Sequence, residues 1–160
     1  MENKSNMVGW RDIVLIFMLF VTVVMTGFLM GLLRPVQIFT VLRIISYVCL
    51  GLCVFIIIIA VINLRKQRVN VIPDRGIYSV VRYPFYLSGI LFFFFMSLWG
   101  QHWIVLILSG EAIACIYLLM LFEDRRNAAD IGERYVKYMR LVPRVDPVTG
   151  FIRFSRRRKR

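Results

Sequence analysis

A chain of 160 residues that is 59% hydrophobic is too apolar for an ordinary soluble domain. Its formal net charge is +12, but the basic residues flank long uncharged runs, and charge placed beside a bilayer argues against nucleic-acid binding. The composition therefore predicts an integral membrane protein. No linker divides the chain, so residues 1–160 are expected to form a single membrane domain.

Four membrane-spanning helices are predicted in chain order. The first covers residues 13–33, an uncharged stretch that would extend for roughly 32 Å as a helix and cross the hydrocarbon core. The second covers residues 44–64. The next apolar region is too long for one crossing and is interrupted at residues 100–102, so we expect a helical hairpin with arms at 84–99 and 103–122. The first arm is short and would thin the bilayer or start among the headgroups.

The distribution of basic residues predicts the orientation of this bundle. Of the 21 Lys and Arg residues, 19 lie on the side that holds both termini and the loop 65–83, and two, Arg34 and Arg43, lie on the other. Because cytoplasmic loops are enriched in Lys and Arg, both termini are predicted to be cytoplasmic. The compact chain favours a bacterial inner (cell) membrane. The expected fold is all-α, a polytopic membrane helical bundle of four transmembrane helices.

The C-terminal cytoplasmic segment, residues 123–160, is expected to begin as a continuation of the fourth helix. Apolar and aromatic residues then recur at steps of 4, 3 and 4, which predicts a C-terminal amphipathic helix: Ile131, Tyr135, Tyr138 and Val142. We expect this helix to run through Gly132 and to end at Pro143. Its apolar face would either fold back over the mouth of the bundle or rest on lipid. The terminal run Arg156 to Arg160 would add contacts with anionic lipid.

Polar residues gather at the cytoplasmic end of the predicted hairpin. One arm leaves the inner surface just after Tyr83 and the other returns just before Glu123, so antiparallel packing would bring these groups to one mouth: Arg82, Tyr83, Tyr86, Glu123 and Asp124. Such a set suits a polar, zwitterionic or nucleotide-like small molecule, since arginine pairs with a carboxylate and glutamate with an ammonium group. The same residues would equally suit an interfacial girdle of salt bridges.

The start of the third helix is the most clearly marked boundary in the chain. Pro84 is well placed as its first residue, and Tyr83 before it is pushed out of helical geometry. We therefore expect the backbone N–H groups from Tyr83 to Leu87 to be unused within the helix and to suit an anionic group.

Three motifs follow one another in this region. The first consists of Gly76, Tyr78, Arg82, Tyr83, Pro84 and Tyr86. The second is the pair Glu123-Asp124. The third consists of Ile131-Gly132, Tyr135, Tyr138 and Val142-Pro143-Arg144. In order and spacing they resemble the isoprenylcysteine carboxyl methyltransferase and phospholipid N-methyltransferase family of integral membrane enzymes, over nearly half of the chain.

The resemblance implies S-adenosylmethionine as methyl donor and a lipophilic or small membrane-accessible acceptor that enters from the bilayer. It implies cofactor-binding roles for Gly76, Tyr78, Arg82, Tyr83, Pro84, Tyr86, Glu123, Asp124, Tyr135 and Tyr138. Arg82 and Tyr83 would reach the cofactor carboxylate and Glu123 its amino group. The expected catalytic residues are Arg82, Glu123 and Arg144, the last as an acceptor-side or lid residue.

Three departures from the family pattern leave alternatives open. Tyr83 stands where the family has histidine, Asp124 replaces a glutamate, and Ile131 replaces a phenylalanine. Tyrosine is larger than histidine and is neutral at pH 7, which favours a second hypothesis, a catalytically degenerate membrane scaffold or lipid-sensing module of the same fold. A nicotinamide-dependent membrane reductase is a third hypothesis, but the sequence shows no basic cluster dedicated to a second phosphate.

The predicted spans contain two sets of residues that could form a chemical site of their own. Glu111 lies about 12 Å of helical rise from Trp103, near the middle of the fourth span, and an intramembrane carboxyl group is a functional-site hypothesis by default. It would either point into an acceptor cavity or form a packing hydrogen bond with a neighbouring helix. Cys49 and Cys53 share a helix face but lack a histidine or acidic neighbour, so no metal site is expected.

Overall fold

The computed structural model describes residues 10–32, 39–66 and 76–158. Some of the sequence features discussed above lie outside these residues: Arg34, residues 67–75 of the loop 65–83 and the last two residues of the terminal basic run. The described residues form six α-helices: α1 (Trp10–Leu32), α2 (Thr40–Lys66), α3 (Pro84–Gly100), α4 (Trp103–Ile131), α5 (Glu133–Leu141) and α6 (Pro147–Arg158). A short 3₁₀ helix covers Gly76–Ser79 and no strand occurs in these ranges, so the all-α prediction is confirmed.

Three of the helices are long and apolar enough to cross a membrane: Trp10–Leu32, Thr40–Arg65 and Trp103–Ile131. The helix α3 is also apolar, but its 17 residues are fewer than a typical crossing needs. Both α1 and α2 expose many large hydrophobic side chains, as expected of helices that face lipid. Length and composition therefore support a membrane protein.

The predicted hairpin is formed by α3 and α4, which pack against each other, while α2 packs on α3 and α1 on α4. Its turn is stabilised by Gln101, which adopts a positive φ of 43°. The Gln101 side chain both accepts from the backbone N–H of Phe39 and donates to its carbonyl, at 3.0 and 2.9 Å. These bonds tie the turn to the start of α2.

Polar contacts join α1 to α4 at two levels. Oε2 of Glu111 lies 2.6 Å from Oγ1 of Thr22, and Sγ of Cys115 lies 3.3 Å from Oε1 of the same carboxyl group. Nearer the start of α1, Arg126 forms an ion pair with Asp12 at 3.0 Å. Glu111 therefore makes the packing hydrogen bond that the second of its two interpretations expects.

The region after α4 differs from the prediction. The fourth helix continues beyond the apolar run, as expected, but it ends at Ile131 because Gly132 adopts a φ of 72°, which a helix does not tolerate and glycine readily adopts. The predicted continuous amphipathic helix is thus wrong, and α5 starts anew at Glu133. Tyr135 and Tyr138 are buried, and the Tyr138 hydroxyl donates to the carbonyl of Tyr78 at 2.7 Å. The apolar face of α5 therefore folds back onto the bundle.

Candidate functional site

A cavity of about 460 Å³ lies at the end of the bundle where α2 ends, α3 begins and α4 leaves the apolar core. Its walls combine aromatic rings with a few polar groups: Leu64, Tyr78, Arg82, Tyr83, Pro84, Phe85, Tyr86, Glu123, Asn127, Ile131, Tyr135 and Tyr138. Small-molecule sites in proteins usually measure roughly 300–1,000 Å³ and are mostly apolar with a few placed polar groups. The size and lining of this cavity are those of a small-molecule site.

The start of α3 is built as the sequence predicts, but its backbone donors are not free. Pro84 is the first helical residue, and Tyr83 before it has a non-helical φ of −122° and ψ of 69°. The N–H of Tyr83 donates to the carbonyl of Arg144 at 3.2 Å, and the N–H of Leu87 donates to the carbonyl of Tyr83 at 3.0 Å. The Leu87 N–H is therefore used by the helix, contrary to expectation, and the Tyr83 N–H is unused within the helix but is occupied by Arg144, so neither is free for an anionic group.

Behind the cavity wall, Asp124 is the centre of a buried polar cluster. The side chain is 2% exposed, and its Oδ1 atom accepts from Nη1 of Arg82 at 2.6 Å and from the hydroxyls of Tyr83 and Tyr135 at 2.9 and 3.0 Å. Its Oδ2 atom accepts from Nε of Arg144 at 2.6 Å. We refer to these five residues as the Asp124 network. Its two cations share one anion, and each ion pair is short enough to be charge-assisted.

Most of the hydrogen-bonding capacity of Arg82 is used within the protein. Besides Asp124, its guanidinium group donates through Nη2 to the carbonyls of Met139 and Val142, at 2.7 and 2.8 Å. The residue is 6% exposed, and its Nε atom is buried without a hydrogen-bond partner among the described residues. A ligand carboxylate that binds Arg82 would therefore have to reach Nε or compete with Asp124.

Glu123 has a different environment from its neighbour in sequence. It is half-buried and lines the cavity, and its Oε2 atom accepts from the hydroxyl of Tyr86 at 2.7 Å. Its Oε1 atom has no hydrogen-bond partner among the described residues. The two ends of the hairpin thus bring Arg82 and Glu123 to one cavity, where Arg82 is paired with Asp124 and Glu123 has no ion pair among the described residues.

Burial determines the protonation of the phenols at the site. Loss of solvent raises the pKa of Tyr83 and of Tyr135 above the ordinary value for tyrosine. Both hydroxyls are therefore neutral and remain available as donors to Asp124. The hydrogen bond to Asp124 in turn raises the pKa of Arg144, so this guanidinium keeps its charge.

Eight of the predicted site residues line the cavity: Tyr78, Arg82, Tyr83, Pro84, Tyr86, Glu123, Tyr135 and Tyr138. Three predicted residues do not. Gly76 has a φ of 65° and lies so close to Asn63 of α2 that a Cβ atom would collide with that side chain. Asp124 lies behind the wall, and Arg144 binds its far oxygen while lying 3.4 Å from the hydroxyl of Tyr117.

The structure adds lining residues that the sequence analysis did not place at the site. Asn127 follows Glu123 by four residues on α4 and donates to the hydroxyl of Tyr135 at 3.4 Å. Helical periodicity could have found it, since residues four apart share a helix face. Leu64 and Phe85 gave no such signal, because each is one apolar residue in or beside a long apolar run.

No protein-family model matches this chain, and neither a curated protein nor a solved structure matches it significantly. The functional argument therefore rests on the motifs in the sequence, on the apolar helices and on the geometry of the cavity at the end of their bundle.

Proposed function

We propose that this chain is an integral membrane S-adenosylmethionine-dependent methyltransferase that acts on a lipophilic or small membrane-accessible acceptor. In this proposal α1 to α4 all span the membrane, both termini are cytoplasmic and the host membrane is the bacterial inner membrane. The observation that carries the proposal is the shared cavity. Arg82 and Glu123, which the family resemblance assigns to the carboxylate and the amino group of one cofactor, line the same aromatic-walled space.

The charge around the cavity suits a cationic ligand. Arg82 is paired with Asp124, which it shares with Arg144, whereas one oxygen of Glu123 has no partner among the described residues. Six aromatic rings line the cavity: Tyr78, Tyr83, Phe85, Tyr86, Tyr135 and Tyr138. A cation over an aromatic face gains about 0.5–2 kcal/mol. A sulfonium or ammonium group would therefore be stabilised by Glu123 and by the aromatic rings of this space.

The residues present fit the donor that the resemblance implies. Glu123 Oε1 would accept from its amino group, and Arg82 Nε, a buried donor without a partner in the described chain, would donate to its carboxylate. The tyrosine rings would cover its base. Bound S-adenosylmethionine supplies an activated methyl group, so the protein has to bind, align and keep water out rather than provide a nucleophile.

The rim of the cavity provides a route for an apolar acceptor. Leu64 and Phe85 line the cavity and are also exposed. They belong to the apolar helices α2 and α3, whose outward faces are hydrophobic, so the rim continues into the surface expected to meet lipid. A lipophilic acceptor could therefore reach the cavity without crossing water.

Titration calorimetry of the purified protein with S-adenosylhomocysteine tests the proposal directly. We expect saturable binding, and we expect Glu123→Ala to abolish it while the variant keeps the unfolding temperature of the parent. The matched control is Glu133→Ala, which removes an exposed carboxylate from α5 and should leave binding unchanged. Absence of binding to the folded parent at millimolar ligand would contradict the proposal. Lipid extracts incubated with isotopically labelled donor and analysed by mass spectrometry would then identify the acceptor.

One contact favours a second candidate function, a catalytically degenerate scaffold or lipid-sensing module. Tyr83, at the position of the family histidine, uses its hydroxyl on Asp124 and lies 2.9 Å from the hydroxyl of Tyr135. Tyr83→His discriminates between the two candidates. A large gain in cofactor affinity would favour the degenerate module, whereas unchanged or weaker binding would favour the enzyme.

A further inference from the structure

The last described helix, α6, is a separate amphipathic element that the sequence analysis did not predict. Asp146 caps it, since the carboxylate accepts from the backbone N–H groups of Val148 and Thr149 at 3.0 and 3.2 Å. The helix runs for 12 residues to Arg158. A capped N-terminus and this length allow it to form as a regular helix at the end of the bundle.

One face of α6 is apolar and uncovered. Val148, Phe151 and Ile152 are 67, 64 and 47% exposed. Their spacing of three and then one residue places them on the same side of the helix. The long apolar helices expose similar side chains because they are expected to face lipid. The helix α6 instead follows the polar segment that leaves the bundle, so its exposed apolar face needs a partner of its own.

The opposite side of α6 is attached to the protein, which fixes the direction of the apolar face. Gly150 is buried and approaches the carbonyl of Val80 so closely that a Cβ atom would not fit. Arg153 donates to the carbonyl of Arg140 on α5 at 3.2 Å. The helix therefore cannot turn to bury Phe151 without losing both of these contacts.

The charge of the region indicates the partner. The sequence places the basic run Arg156 to Arg160 at and beyond the end of α6. An apolar helix face combined with clustered basic residues is typical of helices that lie in the interface of an anionic membrane. The pairing of Asp12 with Arg126 also brings the start of α1, with its exposed Trp10, to the end of the bundle where α4 leaves. Tryptophan is enriched at membrane interfaces.

We propose that α6 docks on an anionic lipid surface, with its apolar face among the acyl chains and its basic residues at the headgroups. This inference goes beyond the proposed methyl transfer and does not depend on it. It has a consequence for the cavity, because the segment that leads to α6 supplies the carbonyls of Pro143 and Arg144, which accept from the N–H groups of Arg82 and Tyr83. Docking of α6 on lipid would therefore stabilise the hydrogen bonds that position Arg82 and Tyr83 in the cavity wall.

Hydrogen exchange of the full chain in lipid nanodiscs tests the proposal. We compare discs of phosphatidylcholine alone with discs that also contain phosphatidylglycerol, each holding one protein molecule. In the anionic discs we expect amide exchange within α6 to slow by about tenfold or more, because each basic residue near an anionic surface strengthens docking by about fivefold. High salt should reverse most of this slowing.

Two sets of variants separate the contribution of the apolar face of α6 from that of its basic residues. Phe151→Ser with Ile152→Ser removes the apolar contact, and Gln at positions 156, 157 and 158 removes three charges, so each set should abolish the effect of phosphatidylglycerol on α6. The matched control replaces the same three arginines by Lys, which keeps the charge and should keep the effect. Exchange within α5, around Tyr135 and Tyr138, reports whether each variant remains folded.

Three results would overturn the proposal. Equal exchange of α6 in the two kinds of disc would show that anionic lipid is not its partner. Slowing that survives Phe151→Ser with Ile152→Ser would show that the apolar face is not in the lipid. Slowing that appears only in discs holding two protein molecules would assign the face to a second copy of the chain.

Discussion

Glu123 and Asp124 are adjacent on α4 and carry the same charge, yet the structure gives them opposite surroundings. Asp124 lies at the centre of its buried network, with four side chains bound to its two oxygens. Glu123 lines the cavity, accepts from Tyr86 and keeps one oxygen without a partner among the described residues. The hydrogen bonds of Asp124 are therefore made within the protein, whereas Glu123 keeps an oxygen that a ligand in the cavity could bind.

Helix geometry explains how two neighbours come to serve different purposes. Successive residues of an α-helix point about 100° apart, so adjacent carboxylates on one helix face different sides. The Asp124 side meets Arg82 and Tyr83 from the loop before α3, Tyr135 from α5 and Arg144 from the segment after α5. The Glu123 side meets Tyr86 at the start of α3. The two adjacent acidic residues therefore have different roles. Asp124 anchors the C-terminal segment, and Glu123 faces the cavity.

The largest effect is expected from Asp124→Asn, which breaks the anchor. Arg82 would remain buried without a counter-charge, and removal of one partner from a buried ion pair typically costs about 3–5 kcal/mol. We expect a loss of this order in the free energy of unfolding, measured by denaturation in detergent, with faster hydrogen exchange across α5. The control is Asp130→Asn, an exposed carboxylate on the same helix. Equal stability of the two variants would contradict the anchoring role.

Glu123→Gln is expected to separate binding from folding. The substitution keeps the shape and the contact with Tyr86 but removes the charge. Because a hydrogen bond to a charged group contributes about 1.5–3 kcal/mol, affinity for S-adenosylmethionine should fall by roughly 10- to 100-fold while the free energy of unfolding changes by less than about 1 kcal/mol. Calorimetry and denaturation of the same preparation measure both quantities. If Glu123→Gln instead lowered stability and left affinity unchanged, Glu123 would be a structural anchor and not a ligand-binding group.

The sequence predicted the helices well where local patterns decide them. The long uncharged runs indicated α1, α2 and α4, the interruption at residues 100–102 gave the hairpin turn, and Pro84 gave the start of α3. Prediction failed where tertiary contacts decide the backbone. Gly132 takes a positive φ because α5 folds back on the bundle, and a helical pattern alone cannot reveal that. The helix α6 was missed because Pro147 and Gly150 lower its apparent helix propensity.

At the site, the sequence predicted which residues gather but not which atoms bind. Antiparallel arms were enough to bring Arg82 and Glu123 to one cavity. The choice of Asp124 rather than Glu123 as the partner of Arg82 depends on the rotation of α4 about its own axis, which composition does not specify. The burial of the Tyr83 hydroxyl against Asp124 likewise follows from the docking of α5, a long-range contact.

A smaller effect, with a signature in its pH dependence, is expected from Tyr83→Phe. Loss of one hydrogen bond to Asp124 should cost about 1 kcal/mol at neutral pH. Burial raises the pKa of Tyr83 in the folded protein, so its contribution is complete below the unfolded value of about 10 and is lost as pH rises further. The variant should therefore lose less stability than the parent between neutral pH and about pH 11.

Denaturation midpoints across this pH range measure the difference. Tyr47→Phe is the matched control, because Tyr47 lies exposed on α2. Identical alkaline slopes for the parent and Tyr83→Phe would show that the Tyr83 hydroxyl is not held in its neutral form by the fold.

The smallest effect is expected from Glu111→Gln, a change in a half-buried carboxyl group within the apolar part of α4. Glutamine keeps an acceptor for Thr22, whose hydroxyl also lies 2.9 Å from the carbonyl of Met18 and so retains a partner in any case. Stability should change by less than about 1 kcal/mol, and ligand affinity should remain within about twofold, because Glu111 is not among the residues that line the cavity. Calorimetry and denaturation again measure the two quantities. A tenfold loss of acceptor turnover in a variant with normal stability and cofactor affinity would instead place Glu111 on the acceptor path, and the contrast between anchor and ligand-facing carboxylates would then extend to a third acidic residue of the same helix.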